Sequence, residues 1–167
     1  MSSTKPWLKR AAPAAPRPGH AALRRGRVTL QNGIYFVTAS THKRIALFRD
    51  CCAARTAARA FEDPLVLGDA CMLAWVLMPD HAHWLIQLGA KTPLGVCVGR
   101  IKSASSREVN RACRRTGCVW APAFHDHALR DDEDVEVAAR YLVANPLRAG
   151  LVERIGGTVM VIAGAEE

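Results

Sequence analysis

The spacing of apolar positions in the first part of the chain predicts one strand followed by one helix. Residues 33–40 form a β-branched and aromatic run, which predicts a strand that is buried on both faces. Residues 50–61 combine helix-forming residues with apolar positions at helical spacing, and Asp50 gives this segment an acidic start. Pro64 follows and is expected to stop the helix.

The middle of the chain predicts a hairpin and then a long helix. The apolar runs 70–78 and 81–88 are separated only by Pro79-Asp80, a pair that is typical of the turn between adjacent antiparallel strands. Thr92-Pro93 then supplies a cap and a proline at the first helical position, and an apolar stripe continues from there to Gly117.

The last part of the chain predicts a fourth strand and a third helix. Residues 120–129 predict a strand with an irregular start, and the acidic residues at 131–133 favour a helix that reaches about Ala144. The first six elements match the α+β, ferredoxin-like split βαβ arrangement (βαββαβ), in which an antiparallel sheet carries helices on one face. The added C-terminal helix carries Tyr141, and the β-prone residues 158–162 are candidates for pairing with an edge of the sheet.

Positive charge is concentrated at the N-terminus. The 167 residues have a formal net charge of +8, and the seven Lys and Arg residues within 1–28, where no acidic residue occurs, account for +7 and leave +1 for the rest. We expect a basic arm at 1–22, one folded domain at 23–153 and a tail at 154–167. A basic arm suggests a polyanionic partner, although a solvated, disordered tail would have the same composition. The basic residues that begin the domain are Arg24, Arg25 and Arg27.

Composition also restricts the compartment. No apolar run approaches the roughly 18 to 20 residues that a membrane span requires, and no apolar signal-peptide region precedes the domain. The six cysteines form no C-x-x-C pair, which favours reduced and mostly buried thiols. We therefore expect a cytoplasmic protein without a membrane partner.

The segment His81-Ala82-His83 is a candidate metal site. Residues two apart in a strand project to the same face, so both imidazoles are presented together while Ala82 and Trp84 point into the opposite layer. Histidine is the commonest side-chain metal ligand, but two partly exposed hairpin histidines without an ion are the structural alternative.

Tyr141 and Asn145 lie four residues apart and therefore share a helical face. The carbonyl oxygen of Asn145 suits Mg²⁺ or Mn²⁺, whereas an Asn before Pro146 is also an ordinary helix end. Tyr141 is a candidate nucleophile that would form a covalent phosphoryl intermediate, with a metal ion offsetting the charge, or else an ordinary amphipathic core residue.

Further residues predict contacts with DNA. The long helix carries a basic stripe that suits phosphate contacts, with a solvated helix face as the alternative. The members of this stripe are Arg100, Lys102, Arg107, Arg111 and Arg114. His125, Asp126 and His127 are predicted to support the site by hydrogen bonding or to touch DNA, and Trp120 is a further candidate for a supporting residue. A four-histidine zinc centre is the less favoured interpretation of the second H-x-H segment.

Taken together, these motifs resemble the REP-associated tyrosine transposases, a bacterial family related to the insertion-sequence single-strand (Y1) transposases with an HUH nuclease fold. The resemblance spans most of the domain and rests on five segments. They are 23–27, 35–38, 78–84, the stretch containing Trp120 and 124–130, and 141–152.

The resemblance implies that His81 and His83 are the metal ligands, that Asn145 completes the coordination and that Tyr141 is the nucleophile. It further implies Mg²⁺ or Mn²⁺, single-stranded DNA with hairpins from repetitive extragenic palindromes, and cleavage through a 5′-phosphotyrosine that leaves a free 3′ hydroxyl. A nucleoid-associated bacterial protein, either a monomer or a homodimer, is expected. The alternative is a non-catalytic DNA-binding regulator derived from such a transposase.

Overall fold

A computed structural model describes residues 30–129 and 132–148 of the chain. Within these ranges, the side chains at 132–134, 143 and 145–148 are not described. The predicted arm 1–22, the three arginines at 24, 25 and 27, the tail 154–167 and the predicted edge segment 158–162 lie outside the described residues. Within the described ranges, no helix is both long and apolar enough to cross a membrane.

Four strands form one antiparallel sheet with the order β2-β3-β1-β4. This order, with a helix connecting β1 to β2 and another connecting β3 to β4, is the split βαβ arrangement, so the predicted α+β fold is confirmed. The elements are β1 (Ile34–Ser40), α1 (Cys51–Phe61), α2 (Pro64–Leu67), β2 (Cys71–Met78), β3 (His81–Gln87), α3 (Leu94–Ala112), β4 (His125–Leu129) and α4 (Asp132–Arg148).

Several boundaries differ from the predicted ones: α3 ends at Ala112 and not at Gly117, and α4 reaches Arg148 and not about Ala144. Two further differences have local reasons. α1 ends at Phe61 as expected, but Pro64 also opens the short helix α2, because the Asp63 side chain accepts a hydrogen bond from the Leu65 backbone N–H at 2.9 Å. β4 begins only at His125, since the earlier part of the predicted strand makes one isolated bridge, between Trp120 and Thr41.

One face of the sheet carries most of the apolar core. α1 and α3 pack there against the inward-facing residues of β1 and β3, including Val37 and Trp84. The alanines of α1 allow close approach, and Asp50 caps that helix by accepting from the Ala53 backbone N–H at 2.7 Å. An aromatic cluster fills the layer, and its members are Phe48, Phe61, Trp75, Trp84 and Trp120.

The opposite face is covered by α4, which packs mainly on β2 and less on β3. Ala138 and Leu142 of α4 contact a smaller apolar cluster that includes Val76 and Leu85. Because α4 lies mainly over β2, alternate residues of β1 from Ile34 to Ser40 stay partly exposed on this face. The expectation that β1 is buried on both faces is therefore wrong for the face toward α4.

The cysteines of the described residues are free thiols, as expected, but burial is not general. Only Cys97 is buried, and desolvation raises its pKa to about 11. Cys52, Cys71 and Cys118 are exposed, so the prediction of mostly buried thiols is wrong. Cys52 lies in α1, Cys71 is the first residue of β2 and Cys118 lies in the loop after α3, so the exposed cysteines share no secondary structure that a sequence pattern could have used.

Candidate active site

The two histidines of β3 lie together on the face of the sheet that α4 covers. Their ring centroids are 4.8 Å apart and the rings are nearly perpendicular. Ala82 and Trp84 are fully buried on the other face, as strand alternation predicts. The hairpin therefore builds the core with one set of residues and presents the imidazoles with the other.

His83 is a buried and neutral imidazole. Its side chain is only 8% exposed, and its Nδ1 lies 2.8 Å from the Oγ1 of Thr38, the residue directly opposite on β1. Desolvation, followed by the charges of His81 and Arg44, lowers the pKa of His83 to about 3. The neutral form has a lone pair on one ring nitrogen, which is the form that binds metal ions.

His81 is oriented by its neighbour Asp80. The Nδ1–H of His81 donates to Asp80 Oδ1 at 2.6 Å, which leaves the lone pair on Nε2. Asp80 Oδ2 lies 3.5 Å from Arg44 Nη1. A carboxylate on the far nitrogen of a ligating histidine fixes the tautomer and raises the basicity of the ligand.

The histidine pair has the donor set that a divalent ion requires. Both Nδ1 atoms are engaged by oxygen partners, Asp80 for His81 and Thr38 for His83. When Thr38 Oγ1 accepts from His83, Nε2 of each ring carries the free lone pair, and the rings are close enough to share one ion. The residues present therefore fit a metal ion at these two nitrogens.

Phe36 connects the histidine pair to the tyrosine of α4. Its ring centroid lies 5.3 Å from that of His83 and 6.2 Å from that of Tyr141, with the tyrosine approaching edge-on. Tyr141 is half-buried. One aromatic residue of β1 thus brings the candidate nucleophile and a candidate metal ligand to the same side of the sheet within a single chain.

Asn145 lies in α4, one turn after Tyr141, but its side chain is not among those described. The four-residue spacing keeps it on the tyrosine face of the helix. Its role as a metal ligand stays a prediction.

The second histidine segment also lies on the α4 side of the sheet. β4 pairs with β1 so that His125 stands opposite Thr38 and His127 opposite Phe36. β1 separates these histidines from His81 and His83. Among the described residues, the one group of three or more metal-ligating side chains that come within 4.8 Å of one another contains none of the histidines. The geometry therefore gives no support to a four-histidine zinc centre.

The basic stripe predicted for α3 lies on the other side of the sheet from the histidines. Arg114 is not part of the helix as predicted, because α3 ends at Ala112 and Arg114 has a left-handed φ of 49°. The four arginines of the stripe are exposed, and Arg107 and Arg111 line a groove of about 390 Å³ between α1 and α3. Lys102 has a structural contact instead, because its ammonium donates to the carbonyl oxygens of Ala121 at 2.5 Å and Pro122 at 3.1 Å. The stripe and the histidine pair do not form one continuous surface.

Trp120 also lies away from the histidines. It is buried in the aromatic cluster under α1 and α3, and its indole N–H donates to Ser105 Oγ at 2.9 Å. Trp120 stacks within the core, so the supporting role predicted for it would act through the packing of the sheet and not through contact with the histidines. Its backbone bridge to Thr41 supports the end of β1 that carries the site.

Four residues of this site were not predicted from the sequence: Phe36, Thr38, Asp80 and Arg44. Asp80 adjoins His81 in the chain, so its carboxylate could have been considered as a partner of that imidazole. Thr38 and Phe36 are brought to His83 only by the register of β1 on β3. Thr38 and His83, for example, lie 45 positions apart in the chain and are paired across the two strands.

The fold and the site together place a candidate metal site and a candidate nucleophile on one face of a split βαβ sheet. The family model described as IS200-like transposase matches residues 30–145, and the chain belongs to this family. The resemblance to transposases is therefore confirmed at the level of the family.

Two curated relatives carry related names. A REP-associated tyrosine transposase of Escherichia coli K12 is 28% identical over 88 residues, which cover 49% of this chain and 47% of the relative. A Haemophilus influenzae protein, provisionally named as a REP-associated tyrosine transposase, is 29% identical over 91 residues, covering 48% of this chain and 52% of the relative. The chain spans about half the length of these relatives.

A solved structure shows the same fold. It is a REP-associated tyrosine transposase bound to a REP hairpin, and it aligns with a TM-score of 0.61 at 23% identity, covering 77% of this chain and 75% of the other. At this identity the likeness concerns the fold alone.

Proposed function

We propose that this protein is a metal-dependent single-stranded DNA endonuclease and strand transferase that acts at DNA hairpins of the REP type. The observation that supports the proposal is the contact of Phe36 with both His83 and Tyr141, which holds a phenol and an imidazole on one side of the sheet. The family membership and the names of the relatives supply the substrate class.

In the proposed reaction, the phenolic oxygen of Tyr141 attacks a phosphorus atom of the DNA backbone. A bond from Tyr141 to phosphorus forms, the bond from phosphorus to the 3′ oxygen breaks, and that oxygen leaves as a free hydroxyl after taking up a proton. The 5′ end stays attached to the protein as a phosphotyrosine. Attack by another 3′ hydroxyl reverses the exchange and joins two strands without a high-energy cofactor.

The residues of the site have separate roles in the proposed reaction. His81 and His83, with Asn145 as the predicted third ligand, would hold Mg²⁺ or Mn²⁺, which supplies positive charge to the reacting phosphate. Asp80 and Thr38 orient the two imidazoles through Nδ1. Phe36 keeps the phenol ring of Tyr141 beside them. The contacts within one chain support assembly of the site without a second copy.

The two tyrosines of the chain provide a matched test. Full-length protein is incubated with labelled single-stranded hairpin oligonucleotides and Mn²⁺, and covalent protein–DNA bands are separated under denaturing conditions. Tyr141→Phe should bind the hairpin but form no adduct. Tyr35→Phe should retain the adduct, because Tyr35 is buried on the other face and its hydroxyl accepts from the Leu30 backbone N–H at 2.8 Å. Equal adduct yields from Tyr141→Phe and the wild type would refute the nucleophile.

Metal dependence is tested separately. His81→Ala and His83→Ala should each abolish cleavage, and EDTA should do the same to the wild type, because one imidazole alone cannot hold and orient the ion. Undiminished cleavage with EDTA present would contradict the metal site. Hairpin binding by the wild type without any adduct under Mg²⁺ or Mn²⁺ would favour the non-catalytic regulator instead.

A further inference from the structure

The loop that follows β1 brings two cationic residues to the end of the sheet where His81 lies. Ser40, the last residue of β1, pairs with His81, and a 3₁₀ turn at His42–Arg44 follows directly. Lys43 and Arg44 are exposed and have φ values of 54° and 57°. Left-handed backbone at a residue other than glycine costs on the order of 1–2 kcal/mol, so neighbouring structure must hold this loop in place.

A buried threonine holds the loop against the hairpin that carries the histidines. Thr41 is only 1% exposed, and its hydroxyl contacts the carbonyl oxygens of Ile45 at 2.7 Å and Asp80 at 3.0 Å. Its backbone N–H donates to the same Asp80 carbonyl at 2.9 Å, and the N–H of His42 donates to Val119 at 2.9 Å. The position of Arg44 relative to His81 is therefore fixed by the backbone.

The Arg44 side chain points back to the histidine hairpin. Its Nη1 lies 3.3 Å from Ser40 Oγ and 3.5 Å from Asp80 Oδ2, while Asp80 Oδ1 accepts from His81 at 2.6 Å. Both of these contacts are made by Nη1 of Arg44, so neither of them uses the N–H groups of Nε and Nη2. The two side chains of the Arg44–Asp80 pair are 50% and 32% exposed, and such a long, hydrated pair contributes little to stability.

From this geometry we infer that Arg44 is a phosphate-binding residue of the active site: it contacts a backbone phosphate of the DNA strand that reaches His81 and His83. A guanidinium has a fork of donors that matches two phosphate oxygens, and a rigid loop presents it with little loss of entropy on binding. Asp80 holds the guanidinium at the edge of the site before DNA arrives. The arginines of α3 cannot fill this role because they lie on the opposite side of the sheet.

The inference rests on the proposed DNA substrate, and a binding experiment without catalysis tests it. The full-length protein is titrated in EDTA with hairpin oligonucleotides whose unpaired flank carries one neutral methylphosphonate at a time. For the wild type, we expect about tenfold weaker binding at one or two positions, as for the loss of one charge-assisted contact. Arg44→Ala should bind the unmodified oligonucleotide about tenfold more weakly and show no further loss at those positions.

Two variants serve as controls. Arg111→Ala removes an exposed arginine from the opposite face and should keep the position-dependent loss of the wild type. Arg44→Lys retains the charge without the fork and should fall between the wild type and Arg44→Ala, which keeps the test decisive if Arg44→Ala does not fold.

The inference is overturned if Arg44→Ala, or Arg44→Lys in its place, shows the full methylphosphonate penalty of the wild type. It is also overturned if no position lowers wild-type binding. The adduct assay with Tyr141 separates the two proposals. A methylphosphonate penalty that depends on Arg44, without any covalent adduct, would support the phosphate contact and refute the nuclease. Adduct formation without any effect of Arg44 would support the nuclease and refute the phosphate contact.

Discussion

The two faces of the sheet differ in what covers them. On one face, α1 and α3 bury a continuous apolar layer with six large aromatic residues. On the other, α4 covers mainly β2, so the histidines, Thr38 and Phe36 lie near a partly open surface. Strand alternation allows this division, because Trp84 fills the core while His83, one residue before it, lies on the α4 side, where Phe36 contacts both His83 and Tyr141.

Under the proposed function, the residues that stabilise the fold and the residues that carry the reaction lie on different faces of the sheet. A residue of the helical layer should affect activity only through the folded fraction. A residue between the histidines and α4 should affect the reaction more than the free energy of unfolding. Four substitutions test this division, from the largest expected effect to the smallest.

Phe61→Ala should cause the largest loss of stability. Phe61 is fully buried, and its ring lies 5.2 Å from Trp84 and 5.4 Å from Trp75. Removing it should lower the free energy of unfolding by about 3–5 kcal/mol, measured by urea denaturation. The remaining folded protein should form the tyrosine adduct at a normal rate. A loss of adduct that exceeds the loss of folded protein would show that the two faces are coupled.

Phe36→Leu should lower the rate of the reaction while changing the stability little. Leucine keeps the apolar contact with α4 but removes the ring that lies between His83 and Tyr141. We expect a stability change below about 1.5 kcal/mol and a decrease of about 10-fold to 100-fold in the rate of adduct formation. Ile34→Val, in the same apolar cluster, should leave the rate unchanged. An unchanged rate for Phe36→Leu would exclude a positioning role.

Asp50→Ala should destabilise the helical layer moderately. The substitution removes the cap of the 11-residue α1, which should cost about 1 kcal/mol in the free energy of unfolding. The same change at Asp63, which caps the four-residue α2, should cost less because fewer helical residues depend on that cap. Equal losses at the two positions would contradict this account.

Arg111→Ala should have the smallest effect. The side chain is 78% exposed and pairs with Glu108 on the surface of α3, so the free energy of unfolding should change by less than about 0.5 kcal/mol. Adduct formation on a short hairpin should not change, because this arginine lies on the far side of the sheet. A substantial loss of hairpin binding would instead support the DNA-contacting stripe that the helical spacing predicts.

Local patterns predicted the elements of the fold well. The hairpin with its Pro79-Asp80 turn, the shared face of the two histidines and the helix with Tyr141 all follow from spacing over a few residues. The same reasoning assigned Lys102 to DNA and Trp120 to the support of the site, whereas in the structure Lys102 contacts backbone carbonyls and Trp120 packs in the core. A basic or aromatic residue has the same local pattern in both cases, so only its three-dimensional neighbours distinguish them.

By itself, the amino-acid sequence determined the order of strands and helices and which side chains share a face, because these properties depend on the 2.0- and 3.6-residue periods of the backbone. The tertiary structure decided which faces meet. It placed α3 opposite the histidines, paired Thr38 with His83, brought Phe36 to Tyr141 and set Arg44 beside Asp80. These contacts join segments that are distant in the chain, and they form because burying apolar surface fixes the register of the sheet and the packing of its helices.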